Sequence, residues 1–251
     1  IFRGVAFEFR HKAVRKPTRL FWNGAFAGGS LVAALAQGLI LGGFVQGVAV
    51  EGRSYAGGAF DWLTPFSILV AISVAAGYTL LGACWLVLKT EGELQEKSRR
   101  RARMALLAVS LGFAAVSLAT LGIDPRVTER WGFSMTEMDI IKLLPLSPIP
   151  LAGLVLVALT WRDLFHKTGP EWRPYVYTAG IFLSGYLGLA VSLFPNLVPF
   201  QVDLWQAAAR DNALALMLVG AAVMIPVILI YTGYVYSLFW GKVDPDEAYH
   251  D

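Results

Sequence analysis

Six long intervals of the chain contain no aspartate, glutamate, lysine or arginine: those between Arg19 and Glu51, Asp61 and Lys89, Arg103 and Asp124, Lys142 and Arg162, Arg173 and Asp203, and Asp211 and Lys242. A helix of roughly 20 apolar residues crosses about 30 Å of hydrocarbon, so each interval predicts one transmembrane helix. The expected spans are 21–50, 62–88, 104–123, 143–161, 174–195 and 212–240. Segments such as SILVAISVAAGYTLLGACWLVL are apolar on every side and do not alternate with period two, which predicts helices and excludes barrel strands. The expected fold is an all-α, polytopic integral membrane helix bundle occupying 1–251 as a single membrane domain. Its opening residues, IFRGVAFEFR, read as the end of a further, truncated helix, and the absence of an initiating methionine reads as a fragment. The interval after Arg173 is long enough for a helix ending near Pro195 plus an interfacial loop, NLVPFQVDLWQAAARD, and Pro226 predicts a kink in the last helix.

Composition agrees with this pattern. Apolar residues make up 56% and charged residues 16% of the chain, against about 45–50% and about 25% in soluble domains, too little polarity to cover a water-facing surface. The net charge of +3 is small and the basic residues cluster beside apolar runs, which excludes a nucleic-acid footprint. Cys84 is the only cysteine, so this chain alone builds neither a disulfide nor a cysteine metal site. Alternate loops differ in lysine and arginine. One set holds Arg10, Lys12, Arg15, Lys16 and Arg19, then Lys89, Lys97, Arg99, Arg100, Arg101 and Arg103, then Arg162, Lys167 and Arg173, and finally Lys242. The other holds Arg53, Arg126, Arg130, Lys142 and Arg210. The richer set is expected in the cytoplasm, and six spans then put the C-terminus there too.

Candidate chemistry is sparse. His11, His166 and His250 fall in loops or the tail, so none is placed to ligate a haem at membrane depth, and Met217 and Met224 read as packing. No phosphate-cradling GxxxxGK[ST] loop occurs. The interiors of the six spans carry no charge; the nearest ionisable residues are Arg3, Glu8 and Arg10 around the apolar stub, and Asp61, which opens the second span beside Trp62. Residues at helix ends commonly snorkel to the interface, and Gln37 and Gln46 read as hydrogen-bonding glue between helices. The glycines of the first span, Gly24, Gly28, Gly29, Gly38, Gly42 and Gly43, read as close helix packing or a groove for a quinone or lipid. A transporter would show interrupted helices and polar midplane groups. These spans are clean, which favours a structural or partner-stabilising chain over a permease for a small solute; a membrane assembly factor is a further alternative.

The motifs FRGVAFEFR, GGSLVAALAQGLILGGFVQGV, EGRSYAGGAFDWLTPFSI, KTEGELQ, SGYLGLAVSLFPNLVP and PVILIYTGYVYSLFWGKV occur in consistent order along nearly the whole chain. Together they resemble subunit II of the cytochrome bd-type quinol oxidases, and the short VAVEGRSYAGGAFDWLTPF turn looks most like the cyanide-insensitive branch. The resemblance implies a bacterial inner-membrane complex that oxidises quinol and reduces dioxygen to water. It implies a haem-bearing subunit I as partner, holding the b-type and d-type haems, with none bound by this chain. It also implies about two helices preceding Ile1, where the family's proton-path acids would lie, so no catalytic, cofactor or metal residue is assigned. Residue by residue, Arg3 matches the arginine of an FRP-like motif that has Gly4 here in place of proline, Glu8 and Arg10 match the charged positions after it, and Glu91 and Glu93 match a TxGEL motif. The structural or interface candidates are therefore Arg3, Glu8, Arg10, Asp61, Trp62, Glu91 and Glu93, with membrane lipids as further partners.

Overall fold

The computed structural model describes residues 2–52, 54–133, 140–167, 169–239 and 241–242, the side chains of His11, Lys142 and Leu143 excepted. Arg53, Trp240 and His250 lie outside the described residues. In chain order the helices are α1 (Phe2–Lys12), α2 (Lys16–Val45), α3 (Pro65–Lys89), α4 (Gly92–Leu121), α5 (Pro125–Arg130), α6 (Ile140–Leu146), α7 (Pro148–His166), α8 (Arg173–Leu193), α9 (Leu204–Ala207) and α10 (Asp211–Leu238). Two short antiparallel hairpins, β1 (Val50–Glu51) with β2 (Ser54–Tyr55) and β3 (Asn196–Val198) with β4 (Val202–Asp203), join helix ends. Among the described residues six helices are long and apolar enough to cross a membrane: α2, α3, α4, α7 with the end of α6, α8 and α10. The all-α membrane bundle expected from the charge-free intervals is the architecture found.

Helix ends follow local chemistry. Thr64 caps α3: its Oγ1 accepts from the Ser67 amide while the Ser67 hydroxyl oxygen accepts from the Thr64 amide, and Pro65 occupies the first turn. The Thr64 hydroxyl also donates to Gln46 Oε1, tying the start of α3 to the end of α2. Asp124 caps α5 by accepting from the Arg126 amide at 2.8 Å. At the start of α4 the helix begins at Gly92, well before the apolar run. The segment ELQEKSRRRAR is therefore helical and not a loop, because its charges are spaced for i,i+4 pairing, as in Glu93–Lys97 at 2.6 Å. α10 continues unbroken through Pro226.

Packing centres on α3, α4, α7 and α8. Leu80, Ala83, Cys84, Ala102, Ala105, Leu106, Val109, Leu164 and Ile181 form one buried cluster, flanked by Phe113, Leu156 and Tyr175. α2 lies along the outer side of α3, and α1 lies along α2. The α2–α3 approach depends on Gly38, where an added Cβ would meet the Ala71 backbone, with Val70 O at 3.1 Å. Without a hydrophobic drive between helices in lipid, such close backbone contact supplies the attraction. α10 is different. None of its residues is buried, and its ring contact with Trp85 and the Lys89 hydrogen bonds lie at its final turn and the residues after it.

Candidate functional site

The charged residues gather at one end of the bundle, here termed the basic end, where α3 meets α4, α7 meets α8, and α10 stops. Arg99 and Asp163 are buried there, 6% and 2% exposed. Arg99 Nη1 reaches the Asp163 carbonyl at 3.4 Å, and Arg162 pairs with the Asp163 carboxylate at 3.0 Å. Arg103 donates through Nε and Nη2 to the Leu164 carbonyl at 3.0 and 2.7 Å, with its guanidinium 4.8 Å from the Phe165 ring centre. These arginines satisfy carbonyls that the C-terminal turns of α7 leave open and oppose its negative dipole end. Lys167 closes the same corner on Glu96 at 2.6 Å.

The end of α10 is held by a second set. Lys89 Nζ donates to the carbonyls of Phe239 and Gly241 at 2.7 and 3.0 Å. Lys242 bridges Glu171 at 2.7 Å and Glu91 at 3.1 Å, Gln95 Nε2 donates to Glu171 at 2.7 Å, and Trp85 packs edge-on against Tyr236. Burial pushes the Glu171 carboxyl up, yet the hydrogen bonds from Lys242 and Gln95 outweigh it and hold the pKa below the usual carboxylate value. The hydrogen bonds to Glu171 and Glu91 raise Lys242.

At the opposite end, a cavity of about 530 Å³ is lined by Arg126, Glu129, Arg130, Ser192, Pro195, Asn196 and Phe200. Arg126 is paired with Asp124 through Nε and Nη2 at 3.0 and 3.1 Å and lies 4.7 Å from the Phe200 ring centre, and this pairing lowers Asp124 and raises Arg126. A second, mostly apolar groove of about 850 Å³ runs between α1 and α2, lined by Phe2, Arg3, Gly28, Gly29 and Val32 among others.

The sequence candidates do not converge on one site. Arg3 borders the α1–α2 groove with its guanidinium 6.0 Å from the Phe26 ring, Glu8 is exposed on α1, and Arg10 donates to Asn23 at 2.6 Å. Asp61 accepts from the Gly58 amide at 2.7 Å and from Tyr55 at 3.4 Å within the turn before α3. Tyr55 is raised there by desolvation and then by the Asp61 charge. Trp62 Nε1 donates to Ala59 O, and its Cβ packs where Gly43 leaves room. Glu91 and Glu93 lie at the basic end, paired with Lys242 and Lys97. Gln37 accepts from Tyr78 at 2.9 Å and Gln46 from Thr64, so both link α2 to α3. Sequence reasoning did not find the buried Arg99–Asp163 corner or the Lys89 and Lys242 contacts. The available signal was Asp163, a lone acid inside a basic boundary.

A haem inside the bundle would need an axial ligand at membrane depth. His166 is exposed at the end of α7, Met217 and Met224 are exposed on α10, and Cys84 is enclosed in the packed core with Thr178 Oγ1 at 3.6 Å from its sulfur. Among the described residues no group of three or more His, Cys, Asp or Glu converges.

The sequence pattern of the family described as cytochrome bd terminal oxidase subunit II matches residues 1–239. The chain belongs to that family. The protein named cytochrome bd-I ubiquinol oxidase subunit 2 in Escherichia coli is 25% identical over 279 residues, covering 98% of this chain and 72% of that one. A probable cytochrome oxidase subunit 2 of Haemophilus influenzae is 26% identical, with 96% and 71% covered, and the cytochrome bd ubiquinol oxidase subunit 2 of Bacillus subtilis is 25% identical, with 98% and 70% covered. The subunit II family and the six apolar helices together make the chain a multi-pass membrane protein.

Proposed function

We propose that this chain is the non-haem subunit of a bd-type quinol oxidase in a bacterial inner membrane. The complex takes four electrons from two quinols and passes them, with four protons, to dioxygen, giving two waters. The haems of the partner subunit I supply the electron transfer and the oxygen chemistry. This chain supplies a packed helical scaffold whose buried positions are filled by side chains, and its basic end faces the cytoplasm. Its turn VAVEGRSYAGGAFDWLTPF supports membership of the cyanide-insensitive branch.

The observation that carries the reading is the family match over residues 1–239. A permease is not favoured: Gln37, Gln46 and Asp61, the polar groups such a site would use, are each engaged at a helix seam or turn. The test is to express the chain with and without its subunit I partner and record absorption spectra of each purified form. Haem bands are expected only in the two-subunit form, together with quinol-dependent oxygen consumption. A stoichiometric haem spectrum from this chain alone overturns the division of labour.

A further inference from the structure

On the four packed helices, nearly every charge at the basic end has a partner. Lys89 holds α10 carbonyls; Glu91 and Glu171 hold Lys242; Glu93 holds Lys97; Glu96 holds Lys167; Arg99, Arg103 and Arg162 are engaged at the end of α7. Arg100 and Arg101 are the exceptions: both are exposed on α4, and among the described residues neither makes a hydrogen bond, ion pair or ring contact. Directly below them, at helical spacing from Arg100, Met104, Leu107 and Leu111 are 66%, 47% and 73% exposed. From Arg100 to Leu111 the helix rises about 16 Å, close to half of the roughly 30 Å hydrocarbon layer. Two unneutralised guanidiniums thus stand above an apolar stripe one leaflet long. The headgroup level is marked independently on the neighbouring helix by Trp161 stacked on Phe165, with Arg103 against that ring.

We infer that Arg100 and Arg101 bind the headgroup of one anionic phospholipid, whose acyl chains lie along Met104, Leu107 and Leu111. Guanidinium forks match phosphate oxygens, and the stripe supplies the apolar half of the recognition. A free phosphate would have no use for the stripe. The inference is independent of the oxidase reading, because its readout is bound lipid and not turnover.

The test uses the purified full chain with whatever subunits copurify, exchanged into nanodiscs of phosphatidylcholine with or without phosphatidylglycerol, and counts retained lipids by native mass spectrometry. Wild type is expected to keep one phosphatidylglycerol that Arg100→Gln/Arg101→Gln loses, with retention weakened roughly tenfold to thirtyfold, the size that two basic groups at an anionic surface give. Arg100→Lys/Arg101→Lys, which keeps the charge but loses the fork, should recover part of it. Arg15→Gln/Lys16→Gln removes two equally exposed charges from the α1–α2 turn and should leave this lipid in place. Equal retention by wild type and the glutamine variant overturns the site. An equal loss in the α1–α2 variant overturns it too, reducing the effect to general charge, and displacement by millimolar inorganic phosphate overturns the lipid assignment. Should the glutamine variant fail to assemble, salt titration of wild type decides: retention that does not fall between low and high salt sinks the proposal.

Discussion

The seam between α2 and α3 and the whole of α10 are both apolar and of similar length, yet they are built on opposite terms. At the seam, Gly38 and Gly42 let backbones touch, Gln37 meets Tyr78, and Gln46 meets Thr64, so two helices are fixed along much of their length. α10 has no buried residue, and its polar and ring contacts among the described residues gather where it ends, through Lys89, Lys242 and Tyr236. Apolarity therefore puts a segment into the bilayer without deciding its neighbours. Small residues and a few polar contacts decide those.

The largest effect that would break this contrast is Gly38→Leu. The new side chain meets Ala71 backbone that cannot move aside, so we expect a loss of at least about 1–3 kcal/mol and of folded protein, read by thermal unfolding monitored by size exclusion. Gly220→Leu in α10, which has nothing within 4 Å, should leave the unfolding temperature of this chain unchanged. If Gly220→Leu instead prevents recovery of the complex, a partner covers α10 and the contrast belongs only to the isolated chain.

Leu106→Ala comes next. Leu106 is fully buried, but it exchanges protein neighbours for lipid on unfolding within the membrane, so the water-transfer part of the usual cost is small. The cavity and lost dispersion remain, and about 1–2 kcal/mol is expected. Met224→Ala, at an exposed α10 position, should fall within experimental error in the same unfolding assay.

Lys242→Ala should weaken only the end of α10. Glu91 is largely exposed and Lys242 and Glu171 are each about a third exposed, so solvent screens both pairs and the global effect should stay below about 1 kcal/mol. Backbone exchange at 236–239 should nevertheless accelerate several-fold, and unchanged protection there would show that Lys89 holds the helix alone.

The smallest effect is that of pH on the same contact. Glu171 is lowered, so its contribution is complete above the unfolded carboxylate pKa and is lost as pH falls through the lowered folded value. Lys242 is raised, so its contribution is complete below the unfolded amine pKa and is lost as pH rises through the raised value. Protection at 236–239, corrected for intrinsic exchange, should be flat around neutrality and fall at both extremes. A step near neutral pH would contradict this assignment.

The membrane architecture was legible because lipid tolerates so few charges: uninterrupted apolar intervals translate directly into helices. The beginning of α4 was not. Its charges carry the pattern of a loop, whereas i,i+4 pairing and arginines satisfying α7 carbonyls keep the helix going beyond the hydrocarbon. The pairing of Lys242 with Glu91 and Glu171 was also hidden, since it joins residues far apart in sequence whose types are ordinary at a membrane surface. Of the named candidates, Glu91 and Glu93 reach the basic end and Asp61 and Trp62 shape a turn, while Arg3, Glu8 and Arg10 remain on α1 and α2. Local pattern reports the solvent of each segment, and only the fold reports which charges meet.

The Pro-containing α10 has a mean hydropathy of 2.8 over its most apolar window, the highest of the six spans, and no charge between Asp211 and Lys242. Such a segment leaves the translocon sideways by itself, without help from earlier helices. The contacts with Lys89 and Glu171 lie beyond that apolar run, at its tip. The composition that suits α10 to the bilayer and the charges that hold its tip are thus carried by different residues, so either can be altered without the other.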